Sequence, residues 1–467
     1  MIDLDEAEVT TRGRAYLDSL RGRRVAVVGL ARSGVAAAKL LRGAGADVVA
    51  VDAKPFDALG TEARDLAGLG VRLAHGADGI AAIRQASLVV TSPGVPIDGE
   101  QLKAARGAGV PVIAELELGW RATEADTVAI TGTNGKTTTT ALTGALLAGQ
   151  PRPVLVAGNI GTPITAGVVG FPADGLVVAE VSSFQLETAE LFRPRVAAVL
   201  NVTPDHLDRH GSFAAYVDAK ARIFAQQTEA DCAVLNADDE TARGLARRTR
   251  ARVVMFSRRQ PLEHGVFVHE GWISAHLNGR LEKICPLTAI TLRGAHNVEN
   301  VLAATACALW AGLSAATIAR GIAGFRAVAH RIEFVRDLGG VSYYNDSKGT
   351  NVESTVKALE SFPEPVVLIA GGKGKGQDFS PLAASARGRV AHAVLIGEDA
   401  PRIAAAFKAT GIPVVERDSM AAAVETARTL ARPGHVVLLS PACASFDMFD
   451  NFEHRGDVFR RLVQALD

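Results

Sequence analysis

Short runs of β-branched and aliphatic residues alternate along this chain with stretches whose apolar positions repeat at helical spacing, and the alternation restarts twice. The first block opens with RRVAVVG at residues 23–29, passes through an amphipathic Ala/Leu stretch to Gly43, and returns to DVVAVD, which ends at Asp52. Further strands are predicted at 71–74, 87–91 and 111–113, with Ser92-Pro93-Gly94 punctuating the second of them. A second block begins near Glu115, with strands expected at 127–131, 153–157, 175–181, 196–200, 232–235 and 252–256. Residues 265–292 change rhythm: shorter alternating segments turn at Gly271 and Gly279, which predicts an antiparallel appendage, and helices follow at 297–311 and 314–323. From about Ala329 the pattern begins again, with strands at 341–345, 365–370, 392–396, 412–415 and 435–439 and a closing helix to Leu466. Near-continuous apolar strands separated by helices predict parallel sheets covered on both faces. The 467 residues match about three domains of ordinary size.

The chemistry concentrates where the second block starts. TVAITGTNGKTTTT breaks a β-branched run into Gly132-Thr133-Asn134-Gly135-Lys136-Thr137-Thr138 and continues into a helix-compatible segment. Ile130 stands where the common Walker pattern has its first glycine, so the loop is G-x-x-G-K-T. Glycines let backbone N–H groups turn toward phosphate oxygens, Lys136 can reach the outer phosphates, and the Thr137 hydroxyl can serve Mg²⁺. The first block has Gly29 and Gly34 but Ala31 between them, an incomplete dinucleotide fingerprint. The expected fold is therefore α/β with three domains on mostly parallel sheets: Rossmann-like over 1–114, a P-loop-type ATPase over 115–327, and Rossmann-like over 328–467.

Fifty basic residues balance fifty acidic ones, which gives no electrostatic reason to expect a nucleic-acid or membrane partner. With no membrane-length apolar run and an acidic N-terminus, a cytoplasmic protein is expected. Cys232, Cys285, Cys307 and Cys443 are scattered without a C-x-x-C pair, so reduced, packed thiols are expected. Cys443 could be a nucleophile only with a partnered histidine, and a packed thiol is the better reading.

Polar residues bunch at other strand ends. Glu180, after GLVVA, is placed as a hard oxygen ligand for Mg²⁺, the alternative being an N-cap that Ser182 or Ser183 could equally supply. Asn201, Asp205, His206 and Asp208 follow the strand at 196–200; His206 and His210 lack the H-E-x-x-H context of a zinc site, so a single histidine facing Mg²⁺ or a carboxylate is preferred. Lys220 shares a helix with Tyr216, Ile223 and Phe224 and reads, on residues alone, as a snorkelling surface lysine. Asn297 and Asn300 share one face of a helix start, and Arg331 could stabilise phosphate charge. Tyr344-Asn345-Asp346-Ser347-Lys348-Gly349-Thr350-Asn351 and Ser440-Pro441-Ala442-Cys443-Ala444-Ser445-Phe446-Asp447 each end a strand, while the glycine-rich loop at 371–376 lacks G-K-[ST].

In content and order, TGTNGKTT, GNIG at 158–161, EVSSFQLE, NVTPDHLDRH, HN at 296–297, HRIE, NDSKGTN and SPACASFDMF resemble the Mur ligases along essentially the whole chain. Sibling branches usually carry D-Y-A-H-x-P-like or D-Y-N-A-N-P-like motifs where this chain has Asn345-Asp346-Ser347-Lys348, which points to the D-glutamate-adding branch. The resemblance implies an ATP-dependent amide ligase of peptidoglycan synthesis that uses ATP, two Mg²⁺ ions, UDP-N-acetylmuramoyl-L-alanine and D-glutamate and acts through an acyl phosphate, as a monomer without nucleic-acid or membrane partners. It implies that the first domain holds the UDP moiety through Asp52, Ser92, Pro93 and Gly94, that the last closes over the site, and that Asn159 contacts the substrate. By the same resemblance, Thr137, Glu180, His206 and Lys220, the last carbamylated, form the metal site. Asn297, Asn300, Arg331 and Asp346 join Gly132–Thr138 as nucleotide contacts, and Lys136, Glu180, His206, Lys220 and Arg331 are the catalytic set. Lys348, Thr350, Lys375, Ser445, Phe446 and Phe452 correspond to the amino-acid pocket. Lys54 stands where an arginine contacts UDP, and Gly349 replaces a frequent alanine. Another Mur-type or folylpolyglutamate-like ligase is the alternative within the superfamily, and a non-catalytic nucleotide or UDP-sugar sensor the alternative from another class.

Overall fold

A computed structural model describes residues 11–277, 279–326, 328–374 and 376–467. The chain forms two compact units, Met1–Pro286 with Glu299–Ile322 and Leu287–Val298 with Ala323–Asp467.

The first unit carries two sheets. One contains β1 (Arg24–Val28), β2 (Asp47–Val51), β3 (Arg72–Ala74), β4 (Leu88–Thr91) and β5 (Val112–Ala114), ordered β3-β2-β1-β4-β5 and parallel throughout. Chain order reverses between β1 and β4, so a crevice opens at their carboxyl ends. The second sheet contains β6 (Asp126–Thr131), β7 (Val154–Gly158), β8 (Leu176–Glu180), β9 (Val196–Val199), β10 (Cys232–Asn236), β11 (Arg252–Ser257), β12 (Gly265–His269), β13 (Trp272–Leu277) and β14 (Arg280–Pro286). Its order, β14-β13-β12-β11-β10-β9-β6-β8-β7, places β6 between β9 and β8, so the loops leaving these three strands share one edge. The predicted appendage is part of this sheet: β13 and β14 are antiparallel, but β12 pairs in parallel with β11. A continuous buried cluster that includes Val25, Leu41, Leu116, Trp120, Ala129 and Phe224 joins both sheets in one core.

In the second unit, β15 (Glu333–Leu338), β16 (Val341–Asn345), β17 (Val366–Gly371), β18 (Val390–Ile396), β19 (Val414–Arg417) and β20 (Val436–Leu439) are ordered β15-β16-β20-β17-β18-β19. β15 was not expected. It is an antiparallel edge strand paired with β16 across Gly339 and Gly340, both at positive φ. That Gly-Gly turn was its readable signal, and the charges of EFVRDL, tolerable on an edge, concealed it. Val366–Gly371 is buried at every position, the reason central parallel strands read as unbroken apolar runs.

Candidate active site

β6 delivers the glycine-bounded loop at 132–135 to the helix Lys136–Leu147. Gly135 ends the loop at φ 85°, and a Cβ there would overlap the Asn300 side-chain oxygen, so only glycine fits. The polar cluster after β9 braces the loop: Thr133 N donates to the Asn201 carbonyl at 2.9 Å, Asn134 N to Asn201 Oδ1 at 2.8 Å, and Asn201 Nδ2 returns to the Asn134 carbonyl at 3.1 Å. Asn300 accepts the Thr139 hydroxyl at 3.2 Å, and Thr137 is buried in the first helical turn.

Two cations converge on this loop. Lys136 Nζ donates to the carbonyls of Gly132 at 2.8 Å and Thr133 at 2.7 Å, and Lys220 Nζ donates to the same Gly132 carbonyl at 2.9 Å. The nitrogens therefore lie within about 6 Å of each other and repel when both are charged. Lys220 is not the surface lysine its sequence suggested: it is 1% exposed, its ammonium 4.6 Å from the Tyr216 ring centroid. Burial, reinforced by Lys136 and opposed by Asp205, drives its amine well below the ordinary lysine range.

Glu180 ends β8 in register with Ile130 and Gly158. Its Oε1 accepts Asn159 Nδ2 at 2.8 Å, while Oε2 is buried without a hydrogen-bond partner. The capping alternative is excluded, because Ser182 caps the next helix in a reciprocal box with Gln185. A bare buried carboxylate oxygen is costly unless a cation meets it, and Mg²⁺ takes such oxygens together with phosphates and water. Among the described residues no group of three His, Cys, Asp or Glu side chains is placed to hold a metal ion. His206 sits on a left-handed turn at φ 52°, its imidazole 4.8 Å edge-on to Phe184 and 3.5 Å from Asp205. His210 is engaged at both ring nitrogens, Nδ1 3.3 Å from Glu187 and Nε2 3.1 Å from Ser183 Oγ, so it forms no zinc pair with His206. That Ser–His–Glu spacing resembles a nucleophile relay, but Ser183 is buried and Glu187 also binds Arg209; the chain fixes a ring in place.

At the first sheet's crevice, Asp52 accepts Leu30 N at 2.7 Å and Lys54 N at 2.9 Å, and Ser92 Oγ donates to the Gly29 carbonyl at 2.7 Å. A Cβ on Gly34 would collide with that carbonyl, which explains the second glycine. Lys54 is exposed. Pro93 lines a small cleft with Ser92, Gln185, Thr188 and Arg209, and Gly94 follows it on the same turn.

In the second unit, the shared registers of β16, β20 and β17 bring the loops after Asn345, Leu439 and Gly371 together. Lys348 Nζ lies 5.1 Å from the Phe452 ring centroid, Ser445 is buried, Phe446 is exposed, and Thr350 follows on the Lys348 turn. Lys375 lies outside the described residues. Asn297 lies inside the helix Ala295–Trp310, and its Nδ2 donates to the Arg293 carbonyl. Arg331 lies near enough to Asp346 to bias its charge. Sequence reasoning missed Arg455, a buried guanidinium that donates to Ser347 Oγ and O and to the Cys443 and Ala444 carbonyls, tying together the loops after Asn345 and Leu439. Its signal was a charge between Phe452 and Phe459 on the inward face of the last helix. All four cysteines are free and buried, and burial raises the Cys443 thiol to about 12, as expected of a packed group.

Burial pushes the Asp346 carboxyl up to about 7, against the opposing pull of the Ser440 hydroxyl and of Arg331. The folded chain thus keeps a proton that the unfolded chain releases near 3.8, so stability falls as pH rises from about 4 to about 7. Asp346→Asn flattens that fall, by on the order of 3 kcal/mol between pH 5 and pH 8; urea unfolding of parent and variant at these two pH values checks it, and parallel slopes refute it. Gly349 matters here as well: a Cβ would lie 2.6 Å from Asp346 Oδ2, so the glycine makes room for that carboxyl.

Residues 23–114 match the MurD-like N-terminal domain of Mur ligases, 130–308 the Mur ligase middle domain, and 330–443 the Mur ligase glutamate ligase domain. Two relatives called UDP-N-acetylmuramoylalanine--D-glutamate ligase align over nearly the full length. That of Pelotomaculum thermopropionicum is 48% identical, covering 95% of this chain and 98% of the relative. That of Acidobacterium capsulatum is 49% identical, covering 96% and 97%. The crystal structure of UDP-N-acetylmuramate-alanine ligase from Thermotoga maritima shares the fold with a TM-score of 0.60 at 19% identity, covering 95% of this chain and 99% of that one. MurF from Acinetobacter baumannii does so with a TM-score of 0.60 at 18% identity, covering 97% and 99%.

Proposed function

This chain belongs to the Mur ligase family, and from that premise we infer that it joins D-glutamate to UDP-N-acetylmuramoyl-L-alanine in an ATP-dependent, amide-forming step of peptidoglycan synthesis. The observation that carries the reading is the convergence of Lys136 and Lys220 on the Gly132 carbonyl within a glycine-bounded loop, beside a sheet edge that ends in Glu180 with an unpartnered oxygen.

The substrate's L-alanyl carboxylate attacks the γ-phosphorus of ATP, the P–O bond to ADP breaks, and an acyl phosphate forms. Lys136 and Arg331 offset charge on the transferring group, and loop N–H groups hold the phosphates. Thr137, Glu180 and His206 would hold Mg²⁺, which would supply Lewis-acid neutralisation of the phosphate oxygens. Two ions are proposed, with Lys220 as their fourth protein contact. Its neutral amine would add CO₂ and release a proton, giving a carbamate that would offer anionic oxygens where an ammonium would otherwise stand. The buried, charge-pressed environment of Lys220 supports this step, because only the unprotonated amine reacts. Asn297, Asn300 and Asp346 are assigned to the nucleotide, Asp52, Ser92, Pro93, Gly94 and Asn159 to the UDP-sugar, and Lys348, Thr350, Lys375, Ser445, Phe446 and Phe452 to the incoming amino acid. The D-glutamate amine attacks the acyl carbon, and the tetrahedral intermediate expels phosphate to leave the amide. Domain boundaries at 114/115 and 327/328 and a monomeric, cytoplasmic enzyme complete the proposal; among the described residues no helix is long and apolar enough to cross a membrane.

A phosphate-release assay tests the reaction. Release requires both the UDP-linked acceptor and D-glutamate and is at least tenfold slower with L-glutamate; equal rates with the two enantiomers, or release without acceptor, refute it.

A further inference from the structure

Arg209 has no phosphate, metal or substrate role above, yet it joins three segments that do. Its Nε lies 3.3 and 3.1 Å from the two Glu187 oxygens, its Nη2 lies 2.5 Å from Glu187 Oε2 and 2.9 Å from the Val95 carbonyl, and its guanidinium carbon is 4.3 Å from the Phe184 ring centroid. Val95 belongs to the turn that carries Ser92, Pro93 and Gly94 after β4, and Arg209 lines the small cleft beside those residues. Phe184 and Glu187 belong to the segment following Glu180. Arg209 itself lies on the one-turn helix Leu207–His210, where its N–H donates to the His206 carbonyl at 3.1 Å. Phe184 receives the His206 imidazole edge-on as well as the guanidinium, so one ring relays the position of Arg209 to that of His206. Glu187 is 5% exposed at its side chain and also holds His210 Nδ1, so it is the fixed end of the clamp. Burying a carboxylate to this degree is costly unless it is paired and hydrogen-bonded, as it is here.

We propose that Arg209, clamped on Glu187, is a positioning residue that fixes the His206 turn to the Ser92–Val95 turn, holding the UDP-sugar edge of the first sheet and the phosphoryl-transfer edge of the second in one geometry. The proposal rests on the function proposed above. The pairing uses two nitrogens, Nε on Glu187 and Nη2 on both Glu187 and Val95; a lysine ends about one atom short of Nη2 and offers no second nitrogen or planar face for the ring. Slippage of about 1 Å between reacting groups lowers turnover by up to about 100-fold.

Arg209→Met, Arg209→Lys and Glu187→Gln in the full chain test it, with far-UV circular dichroism reporting the fold and calorimetry reporting MgATP affinity. The expected result for both Arg209 variants is a kcat about tenfold or more lower and a KM for UDP-N-acetylmuramoyl-L-alanine about tenfold higher, with MgATP affinity and the D-glutamate KM within twofold of the parent. Glu187→Gln keeps an acceptor for the fork and shifts the same two constants in the same direction by less; it decides the question if Arg209→Met does not fold. Unchanged constants for the UDP-linked substrate, full rescue by lysine, or an equal loss of MgATP affinity overturns the proposal, the last marking general loosening. A parent that makes no amide from D-glutamate overturns the proposed function instead, a result visible before any variant is made.

Discussion

Lys136→Met lowers kcat/KM for ligation by on the order of a thousandfold while the chain stays folded. The helix that begins at Lys136 is anchored by Leu142, Leu146 and Leu147 and by the buried threonines of its first turns, so its formation does not depend on the lysine's head group. What disappears is the cation at the mouth of the loop and, with it, a second effect. Lys136 is the charge that, after burial, most depresses the Lys220 amine. Removing it lets Lys220 hold a proton more readily, which opposes carbamate formation. Both changes act in the same direction through one site, so the Lys136→Met, Lys220→Ala double variant loses far less than the product of the single losses. Steady-state kinetics on the three variants checks this; multiplicative losses mean that the two lysines act independently.

Lys220→Ala costs on the order of a hundredfold or more in turnover, and the missing anion returns in part with acetate or formate at millimolar concentration, whereas bicarbonate is without effect. Alanine leaves space beside Tyr216 and the Gly132 carbonyl that a small carboxylate can enter, but it leaves no amine to capture CO₂. If neither acid restores activity, the carbamate reading fails. The same residue sets a pH trend in stability. Its pKa is lower in the folded chain than in the unfolded one, so the folded state binds fewer protons and stability rises with pH in the window below the ordinary lysine value of 10.5. Lys220→Met removes that rise.

The glycine-bounded turn from β6 into its helix was legible because its signal is written in consecutive residues, and the central strands because burial on both faces demands unbroken apolar runs. Residues whose roles depend on distant partners were harder to read. Lys220 lies at the fourth position after Tyr216 and three and four before Ile223 and Phe224, in the middle of an apolar stripe; that spacing signals burial, yet a lysine stem can cover such a stripe with its head in water, and sequence does not decide between the two. Arg209 and Glu187 are 22 positions apart and meet only because the loops leaving β8 and β9 flank the same strand, β6. Gly349 reads as a small substitution until Asp346 is seen to occupy the space a methyl would need. The functional assignments of the amino-acid pocket came from the resemblance of NDSKGTN and SPACASF to the family, and the geometry adds that Lys348 and Phe452 stand together and that Arg455 ties their loops.

The central claim is that a carboxylate oxygen of the UDP-linked acceptor receives the γ-phosphoryl group before the amine arrives. With both oxygens of the L-alanyl carboxylate labelled with ¹⁸O, the bridging oxygen of an acyl phosphate departs with phosphorus, and mass analysis of the released phosphate is predicted to find one ¹⁸O per molecule. Phosphate that carries no label while amide is formed contradicts the account.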